Sequence, residues 1–530
     1  RPPNVATGLA PLILNIEPSV PSWEVWWTRN RLYYLPFRET IDRSNEITTE
    51  GAAASDKTTA VKIESNKKII EALAECLNDT NPMTRLYAVM ALAKFGDKQG
   101  LDLIKKTLSD KNDNVSNTAL LSLGIMGKPE SVNEIKEIIF AKGTPDLRRA
   151  YGALSLGYIK NETSREVLKE IFNPKHQMDK ETKCSALLSL GNLYAVSPGG
   201  EDSSLVSFLD KIINDPKENI SVRSYAALAL GRTKSPAALP VLRKALTEKK
   251  TDLRASVAVA FGLIKSPEAK KDLIALVAND RDSNVKGLAA ISLAQLGDTS
   301  SEKLFWDALK KGDFNLQGFG ALALGLSGDE KSKEELREIL VKKTKPLARG
   351  AAALALGFLK DKDSLDALIK IVETEDQVDP VAWPYAILAL GLIGDQKAVP
   401  VLEKVFEKVQ NRPDLAEAAY NNITVSLVLL GQRAQVLGIL HQKLTEKSVP
   451  EKIKQRILHG LGYFGDKNSI DKLIEFYKNE KNINLRSYAV LALGFIIDRN
   501  QITPLYKITA DNNPYVKLGV MDYILFSKPD

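Results

Sequence analysis

A helical phrase ending Ala-Leu-x-Leu-Gly, or a near variant, recurs through this 530-residue chain, and nothing else restricts its fold as strongly. Clear copies end at Gly231, Gly325, Gly357, Gly391 and Gly494. Looser copies end at Gly124, Gly157, Gly191, Gly262 and Gly462. Degenerate copies are centred on Ala93, Ala294, Val428 and Leu525. The mean spacing of about 33 residues belongs to stacked repeats, in which each unit buries its apolar face only against its neighbours.

Each unit reads as a helical hairpin. Its first helix carries apolar residues at helical spacing, as in Val399–Phe406 and Leu365–Val372. An Asp/Asn/Pro turn such as Asn279–Asn284 supplies capping and turn chemistry. The second helix then runs through a basic residue and a small residue to the Leu-Gly ending. The small positions, among them Ala88, Gly152, Ala226, Gly320 and Ala386, let neighbouring hairpins approach closely. Gly96, Gly297, Gly394 and Gly465, each followed by Asp, suit left-handed helix C-caps.

Val222-Arg223, Ala226 and Ala229-Leu230-Gly231, with their equivalents over roughly residues 65–530, resemble HEAT repeats. The match is to the short kind related to phycobilisome-lyase HEAT-like repeats. The resemblance implies an all-α, right-handed α-solenoid of about 14 stacked hairpins, with the second helix of each lining the inner surface. It implies little about activity, because this scaffold hosts many roles.

Residues 1–46 fall outside the repeat and form a Pro-rich, then aromatic, arm; 47–64 read as a linker and 65–530 as the solenoid. In the arm, Trp23, Trp26, Trp27 and Asn30 share one face of a helix, and Tyr33 and Tyr34 follow. This opening is similar to that of secreted bacterial HEAT-repeat proteins, particularly planctomycete ones. Two readings stand: the aromatics cap the first hairpin, or they dock into a partner. Wider spacings near 194–205 and 408–416 read as insertions forming loops on one edge.

Two series run along the second helices. A basic residue recurs eight positions before the Gly: Arg85, Arg149, Lys183, Arg223, Arg254, Lys286, Arg349, Lys454, Arg486 and Lys517. Such a ladder could grip nucleic-acid phosphates, but in HEAT-like repeats this residue pairs with turn carboxylates of the adjacent unit. The near balance of 73 basic and 66 acidic residues favours the pairing. Two residues further on, Tyr87, Tyr151, Tyr225, Phe319, Tyr385 and Tyr488 make an aromatic stripe. It reads either as a surface for an extended peptide or partner helix, or as core packing.

Catalytic signals are thin. His176, His441 and His459 lie far apart and none is followed by Glu, unlike the His-Glu pairs of the di-iron HEAT hydroxylases. There is no P-loop, dinucleotide-binding fingerprint or nucleophile elbow. Gly318 and Gly320 read as stacking positions, and Cys184 as buried packing. No apolar run reaches the roughly 18 residues a membrane helix needs. The chain begins at Arg1, which is consistent with a processed N-terminus and an extracytoplasmic location, though a cytoplasmic one stays open. The expectation is a non-catalytic protein-interaction scaffold without cofactor or metal, binding a protein or peptide through the inner surface, the aromatic arm or both. Nucleic-acid binding and a lyase-like accessory role are the alternatives.

Overall fold

A 33-residue unit is long enough for two helices of three turns each and two short turns, and that is what the chain builds. The computed structural model describes residues 22–31, 34–35, 67–194, 203–297, 300–342, 346–374, 382–465 and 467–498. Among them there is no strand. After α1 (Ser22–Asn30), hairpins pair α2 (67–76) with α3 (Pro82–Phe95), α4 (Lys98–Thr107) with α5 (Asp113–Met126), and α6 (Ser131–Phe140) with α7 (Asp146–Leu156). Next come α8 (Glu162–Glu170) with α9 (Lys180–Tyr194), α10 (Ser203–Ile213) with α11 (Ile220–Thr233), and α12 (Leu239–Ala245) with α13 (Thr251–Ile264). Then α14 (Pro267–Asn279) pairs with α15 (Ser283–Gln295), α16 (Glu302–Lys311) with α17 (Phe314–Ser327), and α18 (Lys333–Val341) with α19 (Pro346–Phe358). The last are α20 (Leu365–Thr374) with α21 (Ala382–Ile393), α22 (Val399–Val409) with α23 (Pro413–Leu429), α24 (Arg433–Thr445) with α25 (Glu451–Phe464), and α26 (Lys467–Asn479) with α27 (Ile483–Ile496). The unit centred on Leu525, the linker at 47–64 and Lys517 lie outside the described residues.

Even- and odd-numbered hairpin helices form separate layers, as their residues require. The even ones are amphipathic: α22 buries Leu402, Val405, Phe406 and Val409 and exposes Lys404, Glu407 and Lys408. The odd ones are buried nearly all round, as α11 is from Ser224 to Thr233. Odd helices therefore form the inner layer. Their starts are capped by side chains of the turns: Asn81, Asn112, Asp282, Asp313 and Asn482 each accept a backbone N–H of the first turn.

Stacking of the inner layer depends on the terminal glycine of the repeat. A Cβ on Gly231 would lie 2.5 Å from Ala260 Cα, and one on Gly325 would lie 2.7 Å from Ala355 Cα. Inner helices thus touch backbone to backbone, and only Gly admits that approach. The glycine before Asp works as expected at Gly96, Gly297 and Gly394, with φ of 76°, 69° and 79°. Gly465 differs. Its φ is −59°, and a Cβ there would meet Leu461 O at 2.3 Å and Ile496 Cδ1 at 2.5 Å, so crowding and not a left-handed turn selects glycine.

The described array closes on itself. Helix α27 packs on α3, and Gly494 meets Ala91 in the register by which Gly462 meets Ala492. The Asn81 amide donates to Ile483 O (3.1 Å) and Ser487 Oγ (3.2 Å), and the Tyr477 hydroxyl donates to Asp79 (3.1 Å). The thirteen described hairpins close into a ring, which has no first or last apolar face to cover.

The wider spacing near 408–416 makes no projecting loop. Pro413 opens α23 early, and the extra residues extend that helix to 17 residues, against 14 in α11. Of the other wide spacing, residues 195–202 lie outside the described set.

Candidate functional site: an aromatic seat on the inner side of the ring

The arm helix α1 buries the face its sequence marks out: Trp23, Trp26, Trp27 and Asn30 are all buried, and the Asn30 amide donates to Trp26 O at 2.8 Å. It packs against the middle of the array and not against the first hairpin. Trp23 lies on Gly318 of α17, on Gly350 of α19 and beside Tyr385 of α21, with 5.1 Å between the Trp23 and Tyr385 centroids. Trp27 meets Phe358 edge-on at 5.6 Å. Tyr34 packs on Trp26, Trp27 and Phe358, and its hydroxyl accepts from Gln295 Nε2 at 2.6 Å. Tyr33 lies outside the described residues.

The helical wheel identifies which side of the ring this is. Gly320 packs on the outer helix α16, where a Cβ would lie 2.6 Å from Leu309 N. Gly318 is two residues earlier, about 200° around the helix, and so faces the inner side. The two glycines have different functions: Gly320 stacks the hairpin, whereas Gly318 makes room for a tryptophan. Helix α1 runs in the same sense as the inner helices, since Trp23 lies by their first turns while Tyr34 reaches Phe358 and Gln295 at their ends.

The local sequence explains why Trp23 fits. At three successive inner helices the position before the stripe is glycine: Gly287, Gly318 and Gly350. A Cβ on Gly287 would lie 2.2 Å from the Phe319 ring, and one on Gly350 would lie 2.9 Å from the Tyr385 ring. Phe319 and Tyr385 each reach back over the glycine of the preceding unit. Over Gly318 the corresponding stripe residue is Ala351, which has no ring to offer. Trp23 fills that gap, with its Cδ1 2.1 Å from where a Gly318 Cβ would be.

The remaining stripe residues are also packed within the ring. Tyr87, Tyr151, Tyr225 and Phe319 are buried, and Tyr488 packs on His459 with the rings tilted and 5.1 Å between centroids. Tyr385 is the member that touches the arm.

Glu24 is the ionisable group at the seat. It is half-buried and hydrogen-bonds Tyr385; burial pushes its carboxyl up to about 7, with the Tyr385 bond acting in the opposite direction. Burial and the Glu24 charge hold the Tyr385 hydroxyl well above its ordinary value.

Part of the basic ladder is engaged between hairpins and part within them. Arg85 forks onto Asp110 of the next turn at 2.7 and 2.8 Å and caps Asp79 O. Arg254 forks onto Asp280 at 2.9 and 3.1 Å and caps Lys249 O. Lys183 pairs with Glu218 and Arg223 with Glu248. Arg149, Lys286 and Arg349 donate to the Ala141, Ala278 and Leu340 carbonyls. The last rung crosses the closure, where Arg486 pairs with Asp79. Among the described residues no His, Cys, Asp and Glu cluster is arranged to hold a metal ion, and no helix is long and apolar enough to cross a membrane.

The family model for HEAT repeats matches residues 70–155, 206–294, 301–383 and 335–421, together more than half of the chain. The chain belongs to the HEAT-repeat family. Solved structures similar to this HEAT-repeat chain include human deoxyhypusine hydroxylase in complex with glycerol, at 17% identity over 50% of this chain and 96% of that one, with a TM-score of 0.24. Another is YibA of Escherichia coli, at 18% identity over 72% and 100%, with a TM-score of 0.25. A third is the complex of CpcE and CpcF of phycocyanin lyase from Nostoc sp. PCC7120, at 15% identity over 59% and 96%, with a TM-score of 0.27. No curated protein matches the chain.

Glu24, Gly350, Phe358 and Gln295 were not singled out by their sequence pattern, and Gly318, read there as a stacking position, instead receives the Trp23 ring. The alignment of units did hold a signal: three successive glycines before the stripe, with the stripe interrupted at Ala351.

Proposed function

We propose that this HEAT-repeat ring is a non-catalytic protein-interaction scaffold whose binding site is the seat formed by α17, α19 and α21. The ligand is a short helix presenting tryptophan at helical spacing, and α1 is its resident occupant. The observation that carries this reading is the match between Trp23 and the gap over Gly318, a shaped cleft of the kind used in helix-in-groove recognition. A buried aromatic anchor in such a cleft supplies most of the affinity of a small interface. Of the aromatic stripe, Tyr385 takes part directly and Phe319 shapes the neighbouring wall. The pairing of Arg85, Lys183, Arg223, Arg254 and Arg486 with carboxylates of neighbouring hairpins supports a structural role for those residues over phosphate binding.

The test uses a fluorescent peptide with the sequence of residues 22–35 and the full chain. Trp23→Ala weakens the resident arm and leaves Gly318 uncovered, so it binds the peptide more tightly than the unaltered chain does. Gly318→Val fills the seat from below and abolishes binding while the thermal melt stays cooperative. A peptide that ignores Trp23→Ala, or that binds Gly318→Val equally well, would sink this reading.

A further inference from the structure

Helix α17 opens on an aromatic residue left largely in solvent. Phe314, its first residue, is 57% exposed. At the same place α5, α7, α13, α15 and α25 begin with Asp113, Asp146, Thr251, Ser283 and Glu451. Phe314 stands four residues before Gly318, so the two share a face of α17, the face that receives Trp23. They are about 6 Å apart along the helix axis, and a helical side chain leans toward the N-terminus. Because α1 runs in the same sense as α17, the chain that precedes Trp23 leaves the seat on the side where Phe314 lies.

The residue that can reach Phe314 is Val20. It stands before Pro21, a position that disfavours helix, and α1 accordingly begins at Ser22. Val20 is three residues from Trp23 and so within about 10 Å of it, enough to span the single turn from Gly318 to Phe314. We propose that the seat extends to the rim of the ring through a second apolar subsite at Phe314, and that Val20 of the arm is its occupant. This rests on the seat being a helix-binding site, and it defines the ligand more closely. A partner that replaces the arm carries an apolar residue, in extended chain, three places before its anchor tryptophan. Ile483 supplies a matched control. It opens α27 in the same register and is 51% exposed, but it lies at the closure of the ring, where Asn81 donates to its carbonyl.

The experiment uses the full chain. With Val20→Cys and Phe314→Cys together, a short bismaleimide links positions 20 and 314 within one chain, whereas Val20→Cys with Ile483→Cys gives no internal link; Cys76 and Cys184 are buried. A missing link at 314, equal linking at 483, or a link formed between two chains overturns the assignment. Affinity gives the second readout, on a chain carrying Trp23→Ala and Val20→Ser so that the resident arm is weakened. There a labelled peptide of residues 16–35 binds roughly five- to tenfold more tightly than one of residues 22–35, as partial burial of a valine implies. Phe314→Ser on the chain removes that gain and Ile483→Ser leaves it. Equal affinities of the two peptides, or a gain that survives Phe314→Ser, overturn the subsite while leaving the seat standing. Failure of both peptides to bind overturns the seat itself, and the subsite with it.

Discussion

The junction that closes the ring and the junctions inside it use one steric plan, but different forces bring their helices together. At α11–α13 the chain passes from one hairpin to the next through a single outer helix, and contact follows from a short connection. At α27–α3 the partners are distant in sequence, with Asn81 and Ser487 406 residues apart. Closing so long a segment has an entropic cost that the local connection avoids. Side chains alone must hold this junction, and it is correspondingly polar. Asp79 accepts from Arg486, from Tyr477 and from the backbone of Asn81. Lys94 pairs with Asp498 at 3.8 Å, both buried, and lies 4.2 Å over the Phe495 ring. The internal junction relies more on fit, with Gly231 against Ala260 and a single rung from Arg223 to Glu248. The contrast teaches that covalent neighbours need shape complementarity, whereas remote ones also need directional contacts.

The largest test removes the central acceptor of the closure. Asp79→Ala strands Arg486 and Tyr477 and costs about 3 kcal/mol. The loss falls on one junction, so small-angle scattering should show a larger radius of gyration and hydrogen exchange should rise at 477–487. Asp280→Ala removes an equivalent internal acceptor at similar cost, yet the ring stays closed because the connection through α14 keeps α13 and α15 together. An unchanged radius in Asp79→Ala would refute the distinction.

Steric substitutions come next, with the order reversed. Gly231→Ala places a Cβ 2.5 Å from Ala260 Cα, an overlap that requires the helices to separate and costs about 2 kcal/mol. Gly494→Ala meets Ala91 Cβ at 3.0 Å, and the helix propensity gained, about 1 kcal/mol, offsets much of the strain. Thermal melts should show a clear fall in midpoint for the first and little change for the second.

Acidification probes the internal rungs. Arg85 holds the Asp110 carboxyl below its ordinary 3.8. Burial would raise Asp280, but Arg254 and the Asp282 amide outweigh it and leave that carboxyl lowered as well. Groups with depressed values stabilise the fold above the ordinary carboxylate range, and that stability is lost as pH falls through the folded values. Urea midpoints should therefore drop between pH 5 and pH 2.5, and Arg254→Met should shrink the drop. The smallest effect is at the rim of the closure. Lys68–Asp471 and Lys478–Glu75 are exposed pairs, so Lys68→Ala should change stability by about 0.5 kcal/mol or less.

Much of the local structure was legible in the sequence. The hairpin, its register and the turn caps follow from residue type and spacing, because they depend on interactions within one or two units; the close approach between hairpins was expected at the small positions, but Gly152 and Gly320 meet the outer helix of their own hairpin and the approach falls on the terminal glycine. The buried face of α1 was legible for the same reason, since Trp23, Trp26, Trp27 and Asn30 satisfy a helical wheel by themselves. Gly318 and Gly320 were not separable, because two glycines in a repeat look alike until the direction of each is known. Gly465 misled likewise: a terminal glycine before Asp has two possible reasons to exist, and only its φ distinguishes them.

The sequence by itself determined the unit: a helical hairpin with an inner helix small enough to stack and a base positioned to reach the next turn. Those properties are local and repeat with the chain. Whether the units close was decided by tertiary structure, because a small rotation per junction, summed over thirteen hairpins, brings Gly494 to Ala91 or misses it. The location of the arm was decided the same way. A wheel shows which face of α1 is apolar, but only assembled neighbours create the gap over Gly318 that selects Trp23.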